Sequence, residues 1–196
     1  MSDRFLAKKR SLLLFAGGVV AVVAVACKSL TGVPASLSTV PDSGIVYAIN
    51  GAPSGAPTAV HMFTGTRTSA DASFFFDVAF DIDSSGNVKL LPQRTVASGL
   101  TTTHQVGLQK SAQNYADVQS APKSGYHPDT AMVVAVNQLV LVQVQDPSCA
   151  VSITGTFIYG KLVVLAVDPK ARTLDIQYVA DPNCGFLSLA PGVPKN

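Results

Sequence analysis

The side chains able to act as acid, base or ligand in this chain are few. There are three histidines, His61, His104 and His127, and 12 acidic residues, every one an aspartate. The densest grouping is Gly125-Tyr126-His127-Pro128-Asp129, with an aromatic ring, an imidazole and a carboxylate within one short stretch. Connecting segments on a rigid β scaffold commonly carry binding residues, so Tyr126, His127 and Asp129 form the candidate binding loop. The same stretch also reads as a turn fixed by Pro128 with Tyr126 packed down. The three histidines are far apart and none forms a His-x-x-x-His pair, so the spacing gives no support to a zinc site, and neither metal nor cofactor is expected. A hydrolytic site would need His104 or His127 to meet Asp129 and a serine in space, an arrangement defined by geometry rather than by spacing.

Three other segments imitate chemical motifs and fail on their neighbours. Gly155 to Lys161 has the glycine and lysine spacing of a phosphate loop, but Leu162 stands where a hydroxyl must hold Mg²⁺. The run continues into Val163 to Val167, which reads as a strand, whereas phosphate binding needs a helix N-terminus. Asp81-Ile82-Asp83-Ser84-Ser85-Gly86 opens like a calcium loop, yet Pro92 occupies the position of the bidentate glutamate; weak Ca²⁺ contact by Asp81 and Asp83 is what remains of that reading. Ser54, in Gly51-Ala52-Pro53-Ser54-Gly55, lacks the Gly-x-Ser-x-Gly setting of a nucleophile elbow.

The elements that must position these groups read as strands. Glutamate is absent, lysine and arginine are scarce, and Val, Thr and Ser abound, a composition that disfavours helices. Strands are predicted at Ile45 to Ile49, near Ala59 to Thr64, and at Ser73 to Asp81, where Phe74, Phe76, Val78 and Phe80 alternate with Phe75, Asp77, Ala79 and Asp81. Asp83 to Asn87 turns that strand into Val88 to Leu91. Leu100 to Gln109 is a further strand and Lys110 to Ala121 a short helix. Asn137-Gln138 is expected to turn within Met132 to Val144, and Tyr159-Gly160-Lys161 to bend or bulge Val151 to Val167. A last hairpin joins Leu162 to Val167 with Leu174 to Ala180 through Asp168 to Arg172. About ten short strands without alternating helices predict an all-β antiparallel sandwich or barrel.

Two segments echo each other: Val144-Gln145-Asp146-Pro147-Ser148-Cys149 and Val179-Ala180-Asp181-Pro182-Asn183-Cys184. Each places a cysteine just beyond a strand. In an oxidising compartment Cys149 and Cys184 would pair; the other reading leaves two small buried thiols.

Such a compartment is suggested by the N-terminus. Arg4, Lys8, Lys9 and Arg10 precede an apolar run, Leu12 to Ala26, which ends at Cys27. A basic start, a short apolar core and small residues before a cut mark a secretory signal peptide, and the run is short for a bilayer span. An uncleaved anchor helix is the alternative. The end of the run, Ala24-Val25-Ala26-Cys27, resembles the lipobox of bacterial lipoproteins, with Ala24 where that family usually has leucine. The resemblance covers the targeting segment alone. It implies acylation of Cys27, attachment to the membrane through an N-terminal lipid and, with Lys28 after the cysteine, an outer-membrane or cell-surface place in the bacterial envelope.

The chain then divides into a signal peptide, 1–26, a Ser/Thr/Pro-rich flexible tether, 27–43, and a single all-β domain, 44–196. The first 26 residues hold four of the 14 basic and one of the 12 acidic groups, leaving 10 against 11. The remaining chain is near neutral, so no nucleic-acid partner is expected. The functional expectation is a noncatalytic binding or structural module with an unidentified envelope protein or ligand as partner. The alternative is a small secreted hydrolase using a His/Asp/Ser site on loops.

Overall fold

The computed structural model describes residues 33–97, 99 and 104–195, so the signal segment and Cys27 lie outside the described residues. Among the described residues eleven strands form two antiparallel sheets, an all-β sandwich. In chain order they are β1 (Val40–Tyr47), β2 (Ala59–His61), β3 (Thr66–Thr68), β4 (Val78–Ile82), β5 (Val88–Pro92), β6 (Gln105–Ser111), β7 (His127–Pro128), β8 (Met132–Val134), β9 (Leu139–Gln145), β10 (Phe157–Asp168) and β11 (Thr173–Asp181). The six-stranded sheet runs β1-β11-β10-β9-β6-β7 and the five-stranded sheet β3-β2-β4-β5-β8.

Period-2 patterning decides which side chains meet between the sheets. Along β10, Ile158, Leu162 and Val164 join the main core, whereas Tyr159 belongs to a smaller cluster on the outer face. Val142 and Val144 of β9, Ile176 and Tyr178 of β11, and Val78, Phe80 and Leu90 of the opposite sheet complete the interior. The interior is thus shared by both sheets, which is what makes the two layers one unit. Gly160 faces the same interior, because a Cβ there would lie 2.9 Å from the Met62 sulfur. Its pairing with β9 and β11 runs on without a bulge; the register shift in β10 falls between Val164 and Ala166.

Several boundaries differ from the sequence reading. β1 begins at Val40, inside the stretch read as tether. Ahead of it, the backbone amides of Ser36 and Leu37 donate to Asn183 Oδ1 at 3.1 and 3.0 Å. The expected helix at Lys110 to Ala121 is replaced by the end of β6 and by turns. The single-turn helix α1 instead covers Gln93–Val96. Leu100 to Thr103, the start of one expected strand, lie outside the described residues.

The strand expected from Ser73 starts only at Val78. Phe74 has φ of +52°, and the carbonyls of Phe74 and Phe76 accept from the Gln93 side-chain amide at 2.6 and 3.0 Å, side-chain bonds in place of strand pairing. The alternation slips as a result. Phe76 packs with Ala59 and Ala79, away from the cluster that holds Val78 and Phe80. Asp77 is left fully buried.

Candidate functional site

Four ionisable side chains emerge at strand ends where the two sheets approach. His61 is the last residue of β2, and Asp77 directly precedes β4. Val60 pairs with Val78 in that antiparallel register, so the next step along it sets His61 opposite Asp77. His104 directly precedes β6 and Asp146 directly follows β9, while Gln105 pairs with Gln145, so one further step sets His104 opposite Asp146. Each sheet therefore contributes one cross-strand His–Asp pair.

All four are buried, with 0 % exposure for Asp77, 7 % for His61 and His104, and 8 % for Asp146. Ligand-type atoms of His61, Asp77 and Asp146 lie within 4.8 Å of one another. His104 joins through Asp77, its Nε2 being 2.8 Å from Asp77 Oδ1. Despite that distance, neither atom makes a hydrogen bond, because their mutual direction does not suit one. Backbone groups hold the carboxylates in place: the Met62 N–H donates to Asp77 Oδ2, and the Ser148 N–H donates to Asp146 Oδ1 at 2.8 Å. The Thr64 N–H donates to His61 Nδ1 at 3.3 Å, and Phe75 stacks on the His61 ring with centroids 4.0 Å apart.

Close by, Asp146 caps the 3-10 turn Pro147–Cys149, which carries a disulfide from Cys149 to Cys184 with Cα atoms 5.5 Å apart. That spacing lies within the ordinary range for a bridge. The matching Asp181 accepts from the Asn183 N–H and side-chain amide at 2.9 and 2.7 Å, yet its Oδ2 is buried without a hydrogen bond. Burial pushes the Asp181 carboxyl above the usual carboxylate range.

Tyr126, His127 and Asp129 are placed differently from a free loop. His127 and Pro128 form the edge strand β7 against β6, and His127 is exposed. The Tyr126 hydroxyl donates to the Pro122 carbonyl at 3.0 Å, and its ring packs against the outer cluster, 6.2 Å from Tyr159. Asp129 accepts from Arg94 Nη1 and from the Val106 N–H, both at 3.1 Å. The three residues are brought near one another, but Tyr126 and Asp129 are engaged by the fold.

The imitated motifs also have structural partners. Lys161 is buried on β10, donating to the carbonyls of Tyr115 and Val118 at 2.8 and 2.7 Å, and burial pushes its ammonium below the usual lysine range. Asp81 binds Arg172 at 2.8 Å and Asn50 at 2.6 Å, while Asp83 accepts from the Ser85 and Asn87 amides of the hairpin turn, both at 2.9 Å.

Sequence reasoning singled out neither Asp77 nor Asp146 as a site residue, left His61 without a partner, and offered His104 only Asp129, which the structure instead engages with Arg94 and the Val106 amide. The signal that could have found them is register: an aspartate and a histidine directly beyond paired strand ends. Comparisons with protein-family models, curated proteins and solved structures find no match to this chain.

Proposed function

We propose that this chain is a noncatalytic binding module, exported and held at the bacterial envelope by a lipid on Cys27. The observation that carries the binding reading is the enclosure of the His61, Asp77, His104 and Asp146 group. A site whose members are less than a tenth exposed can accept an ion or a water molecule, whereas an ester, peptide or glycoside needs an open cleft for its reacting bond. Export is supported by the basic and apolar N-terminus and by the Cys149–Cys184 bridge, since such bonds persist in oxidising compartments.

The second reading is a small secreted hydrolase. It draws on the two imidazoles buried beside two carboxylates, the residue types from which a hydrolytic His–Asp pair is built. Fractionation and mass spectrometry test the anchoring: the native protein should carry an acylated Cys27 as its first residue and sediment with membranes, and Cys27→Ser should abolish both. Wild type isolated with residues 1–26 intact and no acyl mass overturns it. Turnover of an ester, peptide or glycoside panel, abolished by His104→Ala, would replace the binding reading with the hydrolase.

A further inference from the structure

We infer that His61, Asp77, His104 and Asp146 form a divalent transition-metal site, with nitrogen and oxygen donors suited to Zn²⁺, which clamps the two sheets together at one end of the sandwich. The donor set comes first. Two imidazoles and two carboxylates match the ligands zinc takes from proteins, whereas Ca²⁺ and Mg²⁺ favour oxygen throughout.

Spacing comes second. Ligand atoms bound tetrahedrally to one ion at 2.0 to 2.2 Å stand about 3.3 to 3.6 Å apart, so Asp77 Oδ1 and His104 Nε2, 2.8 Å apart, need to part by about half an ångström to admit one. His61 and Asp146 offer ligand-type atoms within 4.8 Å of Asp77 and of each other.

The third observation points to a ligand independently of the donor count. Asp77 Oδ1 and His104 Nε2 are buried and face each other without a hydrogen bond. Buried polar atoms are almost always partnered, and a cation bound by both the carboxylate and the imidazole would satisfy the two together.

The supporting bonds favour the same conclusion. One carboxylate oxygen of Asp77 is fixed by the Met62 amide while the other points to His104; Asp146 is held by Ser148, and His61 Nδ1 lies 3.2 Å from Thr64 Oγ1, to which it donates in the tautomer that leaves Nε2 for the ion. Such outer contacts orient metal ligands and are normally part of a metal site. Because His61 and Asp77 belong to the five-stranded sheet and His104 and Asp146 to the six-stranded one, an ion here would tie the layers beside the Cys149–Cys184 bridge. The inference does not depend on the lipid anchor.

The test uses the full chain as the exporting cell delivers it. The protein is stripped with a chelator and titrated with Zn²⁺ by calorimetry and with Co²⁺ by visible absorption. The expected result is one ion per chain, cobalt d–d bands characteristic of nitrogen and oxygen ligands, and a melting temperature that rises with Zn²⁺ concentration. His104→Ala and His61→Ala should each weaken binding at least tenfold. Asp146→Asn, which keeps a side-chain cap for the Ser148 amide, should do the same in a folded protein. His127→Ala, altering the exposed histidine on β7, should bind as wild type does. Wild-type protein that takes up no stoichiometric Zn²⁺ or Co²⁺ overturns the inference. So does undiminished binding in both Asp146→Asn and His104→Ala, which would locate the ion elsewhere.

Discussion

His104 Nε2 and Asp77 Oδ1 stand 2.8 Å apart across the gap between the two sheets, His104 leading into β6 and Asp77 into β4. Most polar contacts of a sandwich run along a sheet or within a turn. This one joins the layers, and it places a carboxylate with no solvent exposure inside the fold.

Removing Asp77 should therefore be felt as stability. Asp77→Ala deprives the Met62 N–H of its acceptor and leaves His104 buried without its carboxylate. Stranding buried partners typically costs about 2 to 4 kcal/mol, and urea unfolding of wild type and variant measures it. A loss under about 1 kcal/mol would mean that water replaces the carboxylate freely.

The disulfide makes a second prediction. It closes a loop with a sequence separation of 35, for which the loop-entropy model gives about 3 to 4 kcal/mol. The double variant Cys149→Ala, Cys184→Ala should lose about that much in chemical denaturation. Reduction of wild type under non-denaturing conditions should shift its unfolding midpoint in the same direction. Equal midpoints for oxidised and reduced protein would show that the bridge does not constrain the chain.

These two features differ in how far the sequence discloses them. Cys149 and Cys184 were legible because each follows the same strand end and Asp-Pro pair, and the terminal β10–β11 hairpin because the turn Asp168 to Arg172 joins Leu162 to Val167 with an alternating Leu174 to Ala180. Period 2 likewise disclosed the all-β class. The His/Asp site was not legible, because His61, Asp77, His104 and Asp146 come from four separate strand ends and meet only through register and sheet packing. Asp77 was further disguised by the local pattern. Strict alternation sets it opposite Phe76 and Val78, but the Gln93 bonds to Phe74 and Phe76 break the strand and shift the phase.

Gly160 tests how tightly that end of the core is packed. An added Cβ would meet the Val179 carbonyl at 2.8 Å and Met62 at 2.9 Å, and Met62 directly follows His61. The backbone carbonyl cannot move without disturbing β11, so Gly160→Ala should cost about 1 to 3 kcal/mol by overpacking. Thermal melts of the two proteins decide it, and an unchanged or higher melting temperature would show that Met62 simply rotates away. Pairing Gly160→Ala with Met62→Ala should recover part of the loss if the methionine is the main obstacle, which a double-mutant cycle reads directly.

The last prediction concerns alkaline pH. Tyr178 is fully buried, and its one hydroxyl proton is shared between Asp42 Oδ2 and the Gly65 carbonyl, both at 3.0 Å. Burial, reinforced by the Asp42 bond, pushes its phenol above the ordinary value of 10.0. Tyr115 and Tyr126 shift the same way, chiefly through burial. In the unfolded chain these phenols ionise near pH 10, so above that pH the unfolded state binds fewer protons than the folded one. Their contribution to stability is complete below the unfolded value and is lost as pH rises toward the folded one. The upper limit is about 1.4 kcal/mol per pH unit for each tyrosine, approached most closely by buried Tyr178. Lys161 acts oppositely. Its folded value lies below 10.5, so between the two the unfolded chain holds the extra proton and stability rises with pH. Urea midpoints measured from about pH 8 to pH 11.5 should accordingly hold or climb at first and then fall once the unfolded tyrosines titrate. Tyr178→Phe should begin lower, having lost the hydroxyl shared by Asp42 and Gly65, and then fall less steeply. Parallel curves for wild type and Tyr178→Phe would show that this phenol ionises equally well in both states.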